Sequence, residues 1–268
     1  MSTQEIDLDE LVAIAVGAAQ AAGDLLTSGR PDDLGVWHTK SSPTDVVTVM
    51  DKQAEKLIGD YIRARRSHDG MLGEEGSSTG GDTGVRWVVD PIDGTVNYLY
   101  GYPGWSVSIA AEVQGITQVG VVIVPTLSET FVAVRGRGAM CNDRPIHVRP
   151  SPALDRALIG TGFGYVTSLR ERQAQVIRDL LPQVQDIRRG GSAAVDLCSV
   201  AAGRLDGYFE RGTHRWDIAA GELIVRESGG VVGGLHGSAA STELAIAASP
   251  GLFDLLHDRL AQLEADSG

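Results

Sequence analysis

The chain has 268 residues, 43% of them hydrophobic and 34 of them glycine, a composition typical of an α/β or α+β protein with an ample core. Lysine and arginine number 23 against 35 acidic residues, and since no basic run is long enough to follow a nucleic-acid backbone, nucleic acid is not expected as a partner. The two cysteines lack metal-binding spacing, and the sequence has neither a signal-peptide pattern nor a stretch of ~18 uncharged apolar residues. These features predict a protein of the reducing cytoplasm.

The first half of the chain begins with two predicted helices and continues with strands. Apolar residues at helical spacing predict a helix over 8–27, capped by Asp7, and a second helix from residue 44 or 45 to about 66. Short turns then separate predicted strands at 86–90, 105–113, 116–124, 129–134 and 145–149. Sequential strands joined by short turns predict an antiparallel sheet.

After Pro150 strands and helices alternate. Strands are predicted near 157–162, 184–188, 205–210, 230–232 and 244–248. Helices are predicted near 169–181, 192–202, 217–228 and 250–264. The change of pattern predicts an N-terminal α+β domain over residues 1–150 and a C-terminal α/β domain over residues 151–268.

The segment RWVVDPIDGTVN, residues 86–97, is the most informative for function. A buried strand delivers Asp90 to its end, where Pro91 interrupts the ladder. Asp93 follows across a tight turn that also exposes the carbonyl of Ile92. Three oxygens of different geometry can therefore converge on a hard divalent cation.

Gly94 and Thr95 follow directly and offer backbone N–H groups to an anion. An isolated DxxDG is more often an ordinary turn. However, two carboxylates held ~4 Å apart repel each other by roughly 4 kcal/mol at an effective dielectric of 20, so their convergence needs a compensating cation. The segment therefore predicts a metal and a phosphate at one turn.

Further acidic residues lie elsewhere in the chain. Glu74 and Glu75 stand in a Gly/Ser-rich loop, where a solvated charge pair is the default interpretation. Asp217 begins a predicted helix and either caps it or faces a metal. Glu210 ends a predicted strand, a position that suits a substrate hydroxyl as well as a surface.

With these residues in place, the chain resembles the inositol monophosphatase family of metal-dependent phosphatases. The resemblance covers nearly the whole length and rests on KSSPTDVVTVMD (40–51), GEEG (73–76), WVVDPIDGT (87–95) and WDIAAG (216–221). It implies an alternating-layer αβαβα sandwich of the inositol monophosphatase and fructose-1,6-bisphosphatase type. It also implies a homodimer, two to three Mg²⁺ ions and inhibition by Li⁺.

The resemblance further implies roles for single residues. Glu74, Asp90 and the Ile92 carbonyl match ligands of a first metal ion. Asp90, Asp93 and Asp217 match those of a second, and Glu74 also matches a ligand of a third, weaker ion.

Other matched positions concern water and substrate. Asp51 and Thr95 match the pair that, with Glu74, orients the attacking water, and Asp45 matches an acidic residue beside them. The positions that match phosphate and polyol contacts are Asp93, Gly94, Thr95, Gly191, Ser192, Ala193, Glu210 and Asp217.

The function implied is hydrolysis of a small polyol phosphate, foremost inositol monophosphate, by a metal-activated water. Histidinol phosphate, fructose 1,6-bisphosphate and 3′-phosphoadenosine compounds are alternative substrates, and an RNA- or protein-binding accessory on the same fold is the non-enzymatic alternative. An aspartyl-phosphate route is not expected, because it needs a nucleophilic Asp two residues before a second Asp, whereas Asp90 and Asp93 are three residues apart.

Two segments leave substrate choice open. The loop 160–172 is less typical of the family and could border the pocket. Arg188 and Arg189 are each expected in a salt bridge or in solvent. If one of them reaches the pocket, substrates with two phosphates become plausible.

Overall fold

The computed structural model describes residues 6–30, 36–39 and 46–267 of the chain. The helices are α1 (Leu8–Ser28), α2 (Val49–Arg63), α3 (Thr95–Tyr100), α4 (Thr167–Leu180), α5 (Ala193–Ala201), α6 (Arg215–Glu227) and α7 (Pro250–Gln262). The strands are β1 (Val36–Thr39), β2 (Val46–Thr48), β3 (Gly70–Gly73), β4 (Ser78–Thr79), β5 (Val85–Asp93), β6 (Ser106–Val113), β7 (Ile116–Val124), β8 (Glu129–Val134), β9 (Gly138–Cys141), β10 (Arg144–Pro145), β11 (Leu158–Thr161), β12 (Asp186–Arg188), β13 (Gly207–Glu210), β14 (Val231–Gly233) and β15 (Ala245–Ala248).

The larger sheet contains eight strands in the order β10-β9-β8-β7-β6-β5-β3-β4. Its neighbours are antiparallel, as the short turns predict, with one exception: β3 runs parallel to β5. The parallel pair places the ends of β3 and β5 at the same edge of the sheet. Both strands lead there into segments that carry predicted site residues.

The smaller sheet contains five strands in the order β12-β11-β13-β15-β14. The first three are parallel to one another, and β15 pairs antiparallel with both of its neighbours. All strands of the larger sheet precede residue 146 and those of the smaller sheet follow residue 157. The division into domains 1–150 and 151–268 stays a prediction.

The layers alternate as αβαβα, which confirms the predicted sandwich. The first core joins α1 and α2 to the larger sheet, with Trp87 at its centre. The second lies between the two sheets around α5 and α6 and contains Val88 and Ile224. The third covers the outer face of the smaller sheet with α4 and α7, through Leu180 and Leu252.

Helix α1 forms where its apolar periodicity predicts it. The carboxylate of Asp7 accepts hydrogen bonds from the backbone N–H groups of Asp9 (2.9 Å) and Glu10 (3.3 Å), which caps the first turn. By length and composition α1 would also qualify as a membrane-spanning helix. Its buried face, which includes Leu11 and Leu26, packs instead against α2 and the larger sheet.

Two predicted elements differ in the structure, and the strands β1, β3, β4 and β9 were not predicted. Helix α2 begins at Val49, later than predicted, because residues 46–48 form β2 and pair with β1. The strand predicted at 145–149 is reduced to β10, whereas β9 was missed. Asp45 and the loop 40–43 lie outside the described residues. The other predicted elements lie within a few residues of their predicted positions.

Candidate active site

A bulge in β5 brings Asp90 and Asp93 to one side of the sheet. The two residues are three apart on β5, but their partners on β6 are only two apart. Pro91 lies inside this bulge and has no N–H to donate to the ladder. Since side chains alternate along a regular strand, residues 90 and 93 would otherwise point to opposite faces. After the bulge Ile92 packs into the first core, and both carboxylates line the same cavity.

The carboxylate of Asp93 is held by the N-terminus of α5. Its Oδ2 accepts hydrogen bonds from the Ser192 hydroxyl and the Ala194 N–H, both at 2.6 Å, and its Oδ1 accepts one from the Ala193 N–H at 3.3 Å. Burial raises the pKa of Asp93 to about 6, against the lowering effect of these bonds. Asp93 is thus fixed in position at a considerable electrostatic cost.

Thr95 lies between β5 and α2. Its hydroxyl is 3.0 Å from the Ile92 carbonyl oxygen and 3.4 Å from Asp51 Oδ2. A threonine hydroxyl has one proton, so it donates to one of these acceptors at a time. Asp51 is only 1% exposed and reaches the site from the first turn of α2.

Glu74 follows directly after β3, next to the β5 strand that carries Asp90. Its backbone N–H donates to the Val89 carbonyl at 3.2 Å, which continues the parallel pairing of β3 and β5. Ligand oxygens of Asp51, Glu74 and Glu75 all lie within 4.8 Å of one another. These carboxylates are close enough to share a cation.

Asp217 joins the site from the first turn of α6. Its Oδ2 accepts a hydrogen bond of 2.6 Å from the His214 N–H, so it caps the helix as predicted. The bond occupies one oxygen, and the same carboxylate has a second oxygen for a cation. Burial raises the pKa of Asp217 well above its usual value, and repulsion from Asp93 and Glu74 adds to the rise.

Two glycines allow the turn after Asp93 to pack closely against the loop before α5. Gly94 has a φ of +95°, and a Cβ there would lie 3.1 Å from the Gly191 carbonyl oxygen. Gly191 itself has a φ of +97°. The Asn97 side chain donates hydrogen bonds to the carbonyls of Gly104 (2.8 Å) and Gly190 (2.9 Å). Asn97 therefore ties the Gly94 turn to the loop before α5.

Glu210 lies at the end of β13 and lines the same cavity. Its Oε2 accepts a hydrogen bond from the Tyr208 hydroxyl at 2.8 Å. Burial raises the pKa of Glu210 to about 7. A Cβ at Gly162 would collide with this carboxylate, so the loop after β11 packs directly on it.

The cavity enclosed by these elements has a volume of about 340 Å³. The predicted residues that line it are Glu74, Asp90, Ile92, Asp93, Gly94, Thr95, Gly191, Ala193, Glu210 and Asp217. Asp51 and Ser192 are buried behind this wall, where they contact Thr95 and Asp93. The structure thus brings all twelve predicted site residues together, from both halves of the chain.

The cavity also includes residues without a predicted role. The loop 160–172 borders it, as expected, and contributes Phe163 and Tyr165. Arg189 is exposed, as expected, and it also lines the cavity just before the turn into α5, whereas Arg188 pairs with Asp186. His214 borders the cavity, and its ring stacks on that of Trp216 with 4.8 Å between the ring centroids. Together these side chains give the cavity a partly aromatic rim.

The donor set fits a divalent metal. Burial raises the pKa of Asp90 well above its usual value, and repulsion from Glu74, Asp93 and Asp217 raises it further. A cation among these carboxylates would offset that repulsion. Carboxylate and carbonyl oxygens are also the ligands that Mg²⁺ and other hard cations prefer.

The sequence model described as the inositol monophosphatase family matches residues 7–265. The chain belongs to the inositol monophosphatase family. It is 44% identical over 247 residues to the inositol-1-monophosphatase SuhB of Mycobacterium tuberculosis (strain ATCC 25618 / H37Rv), with 88% of this chain and 84% of the relative covered.

A second bacterial relative and a solved structure are also similar to this chain. The Nus factor SuhB of Pasteurella multocida (strain Pm70) is 45% identical over 234 residues, which cover 86% of this chain and 87% of the relative. The solved structure of the Thermotoga maritima IMPase superposes with a TM-score of 0.86 and 31% identity, covering 97% of this chain and 100% of that one.

Membership of the inositol monophosphatase family makes the protein a phosphatase and confirms the predicted sandwich fold. The family is Mg-dependent in general, and the carboxylate cluster fits metal binding.

Proposed function

We propose that the protein is an Mg²⁺-dependent phosphomonoesterase that converts inositol monophosphate to inositol and phosphate by direct attack of water. The observation that carries the proposal is the convergence of carboxylates from α2, the loop after β3, β5 and α6 at one cavity. Such a cluster would be costly in a buried site without cations.

The proposed metal ligands are those that the family resemblance implies, and all of these residues line the cavity. Glu74, Asp90 and the Ile92 carbonyl would hold one ion, and Asp90, Asp93 and Asp217 a second. Glu74 would also contribute to a third. Mg²⁺ bound there supplies positive charge that offsets the phosphate and lowers the pKa of the attacking water.

Thr95 and Asp51 would prepare that water for attack. The Thr95 hydroxyl accepts a hydrogen bond from the water and passes a proton toward Asp51, whose Oδ2 is 3.4 Å away, while Glu74 orients the water. The water oxygen bonds to phosphorus as the ester P–O bond breaks. The polyol oxygen leaves with the electron pair of that bond and takes up a proton from solvent.

The remaining residues would place the substrate. The backbone N–H groups of Gly94 and Thr95 face the phosphate, and Glu210 accepts hydrogen bonds from polyol hydroxyls. Gly191 and Ala193 line the cavity between them. Ser192 is 3% exposed and donates to Asp93, so its contribution would be to hold that carboxylate in place.

The test is phosphate release from a panel of substrates with and without Mg²⁺. The panel contains inositol monophosphate, histidinol phosphate, fructose 1,6-bisphosphate and a 3′-phosphoadenosine compound. Substrates with a second anionic group are included because Arg189 lines the cavity and could bind that group. Release that needs no divalent ion, or that persists in Asp93→Asn, would count against the proposed mechanism.

Three further expectations from the sequence analysis belong to the same proposal. They are inhibition by Li⁺, a cytoplasmic location and a homodimer. Light scattering measures the last directly, and a mass near 28.3 kDa would contradict it.

A second candidate function is an RNA- or protein-binding accessory. The relative named Nus factor, 45% identical to this chain, favours it. The formal charge of −12 favours a protein partner over RNA. A gel-shift titration with RNA distinguishes the two partners. It is run at ~0.15 M salt, where nonspecific attraction to the RNA phosphates is already screened, so a shift would support RNA and its absence a protein partner.

A further inference from the structure

Helix α2 carries two buried carboxylates one turn apart. Asp51 is 1% exposed and Glu55 is 3% exposed. Because residues four apart lie on the same face of a helix, both point from α2 toward the loop after β3. The proposed mechanism uses Asp51, whereas Glu55 has no role in it.

Glu55 binds the backbone of the loop that presents Glu74. Its Oε2 accepts a hydrogen bond from the Glu75 N–H at 2.8 Å, and its Oε1 accepts one from the Ser77 N–H at 3.0 Å. Both oxygens of one carboxylate are therefore directed at two amides of the same loop. Bonds between a charged acceptor and backbone amides are among the stronger ones in proteins.

The loop is shaped to receive this carboxylate. The Gly73 N–H donates to the Ser77 carbonyl at 2.7 Å, which closes the turn over residues 73–77. A Cβ at Gly73 would lie 2.6 Å from the Glu55 Cδ and would collide with the carboxylate. Only glycine leaves room for Glu55 at the end of β3, immediately before Glu74.

We infer that Glu55 is a positioning residue, which ties the Glu74 loop to α2 and so keeps Glu74 next to Asp51. The inference rests on the proposed function, because the two residues it aligns are a proposed metal ligand and a proposed partner of the attacking water. Ligand oxygens of Asp51, Glu74 and Glu75 lie within 4.8 Å of one another, and the tether fixes this spacing before any cation binds. Groups that orient metal ligands in this way typically affect metal affinity.

The experiment compares Mn²⁺ binding by the wild type and Glu55→Gln, with free Mn²⁺ followed by electron paramagnetic resonance. Mn²⁺ prefers the same oxygen ligands as Mg²⁺. Glutamine keeps the size of the side chain but turns an NH₂ donor toward one of the two amides. We expect the Kd for Mn²⁺ to rise roughly tenfold.

Asp60→Asn is the matched control. Asp60 lies on the same helix, and its carboxylate bonds to Lys56 and Arg63 at the surface. The same carboxylate-to-amide change there should leave the Kd for Mn²⁺ unchanged.

The titration gives the number of sites separately from the Kd, so a loss of folded protein is distinguished from a loss of affinity. Glu55→Gln protein whose remaining sites bind with the wild-type Kd overturns the inference, since Glu55 would then only support folding. A wild type that does not bind Mn²⁺ overturns the proposed function instead.

Gly73→Ala tests the same contact from the loop side. The added Cβ displaces the carboxylate, so this variant should also bind Mn²⁺ roughly tenfold more weakly. In Glu55→Ala/Gly73→Ala the collision is absent, but the Glu75 and Ser77 amides have lost their acceptor, so we expect Mn²⁺ binding to stay weak. Recovery of the wild-type Kd in the double variant would contradict the role of Glu55.

Discussion

Asp93 combines three hydrogen bonds with a raised pKa, and this combination makes its charge the most informative one to remove. In Asp93→Asn the Ser192 hydroxyl still has an oxygen acceptor, whereas the negative charge for the proposed second ion is lost. We expect kcat/KM for phosphate release to fall at least about 100-fold, the scale found when one transition-state contact is removed. A colorimetric phosphate assay over a range of Mg²⁺ concentrations measures this. If high Mg²⁺ restored the full rate of phosphate release in Asp93→Asn, the role of Asp93 would be confined to metal affinity.

The same residue makes the stability of the metal-free protein depend on pH. The pKa of Asp93 rises from 3.8 to about 6 on folding, so between these values the folded state binds more protons than the unfolded state. The free energy of unfolding therefore falls as pH rises through this window, by on the order of 3 kcal/mol from Asp93. Asp90 and Asp217 have raised pKa values and act in the same direction.

Urea unfolding in EDTA at pH 4 and pH 7 measures this pH dependence. Asp93→Asn lacks the titrating carboxylate, so its stability relative to the wild type should increase toward pH 7. If the difference in unfolding free energy between the two proteins is the same at both pH values, Asp93 is not the source of the pH dependence.

Helix α6 is positioned by a charged network on the side away from the cavity. Glu112 on β6 is 1% exposed and accepts hydrogen bonds from Arg86 (2.6 Å) and Arg215 (2.9 Å). Arg215 is the first residue of α6 and also bonds to Thr117 and Glu222. The network therefore anchors the helix turn that carries Asp217.

Glu112→Ala should destabilise the fold. The change removes the buried carboxylate that Arg86 and Arg215 share, and since both arginines reach solvent and Arg215 keeps Glu222, the expected cost is roughly 1 to 3 kcal/mol. Urea unfolding gives the value. The control is Arg137→Gln, which removes an exposed pair with Asp9 and should cost less than about 1 kcal/mol. Equal effects of the two variants would mean that the buried network does not anchor α6.

How much of the architecture could be predicted depended on whether the determining interactions were local. Helix α1 carries its own cap and apolar period, and it lies where the sequence predicts it. β9 was missed because GAMC lacks β-branched residues, and its strand character comes from pairing with β8. The start of α2 was set by the pairing of residues 46–48 with β1, a tertiary contact.

The site shows the same distinction. The motif around Asp90 and Asp93 indicated which oxygens could bind a cation, but the bulge that turns both to one side depends on pairing with β6. Glu55 was missed although it stands one turn after Asp51, because a Glu on an amphipathic helix is usually exposed. Its burial depends on the approach of the Gly73 loop, which no local pattern reveals.

For the molecule as a whole, divalent ions have two separate ways to stabilise the fold. The formal charge of −12 produces general repulsion that any salt reduces. The carboxylate cavity would add specific binding, worth about 2.7 kcal/mol when Mg²⁺ is present at 100 times its Kd. We therefore expect Mg²⁺ to raise the thermal unfolding midpoint more than NaCl of equal ionic strength, as measured by calorimetry. In Asp93→Asn the two salts should act more nearly alike, because screening remains while the specific site is weakened. An Mg²⁺ effect on the wild type no larger than that of NaCl would leave only general screening and would contradict a built metal site.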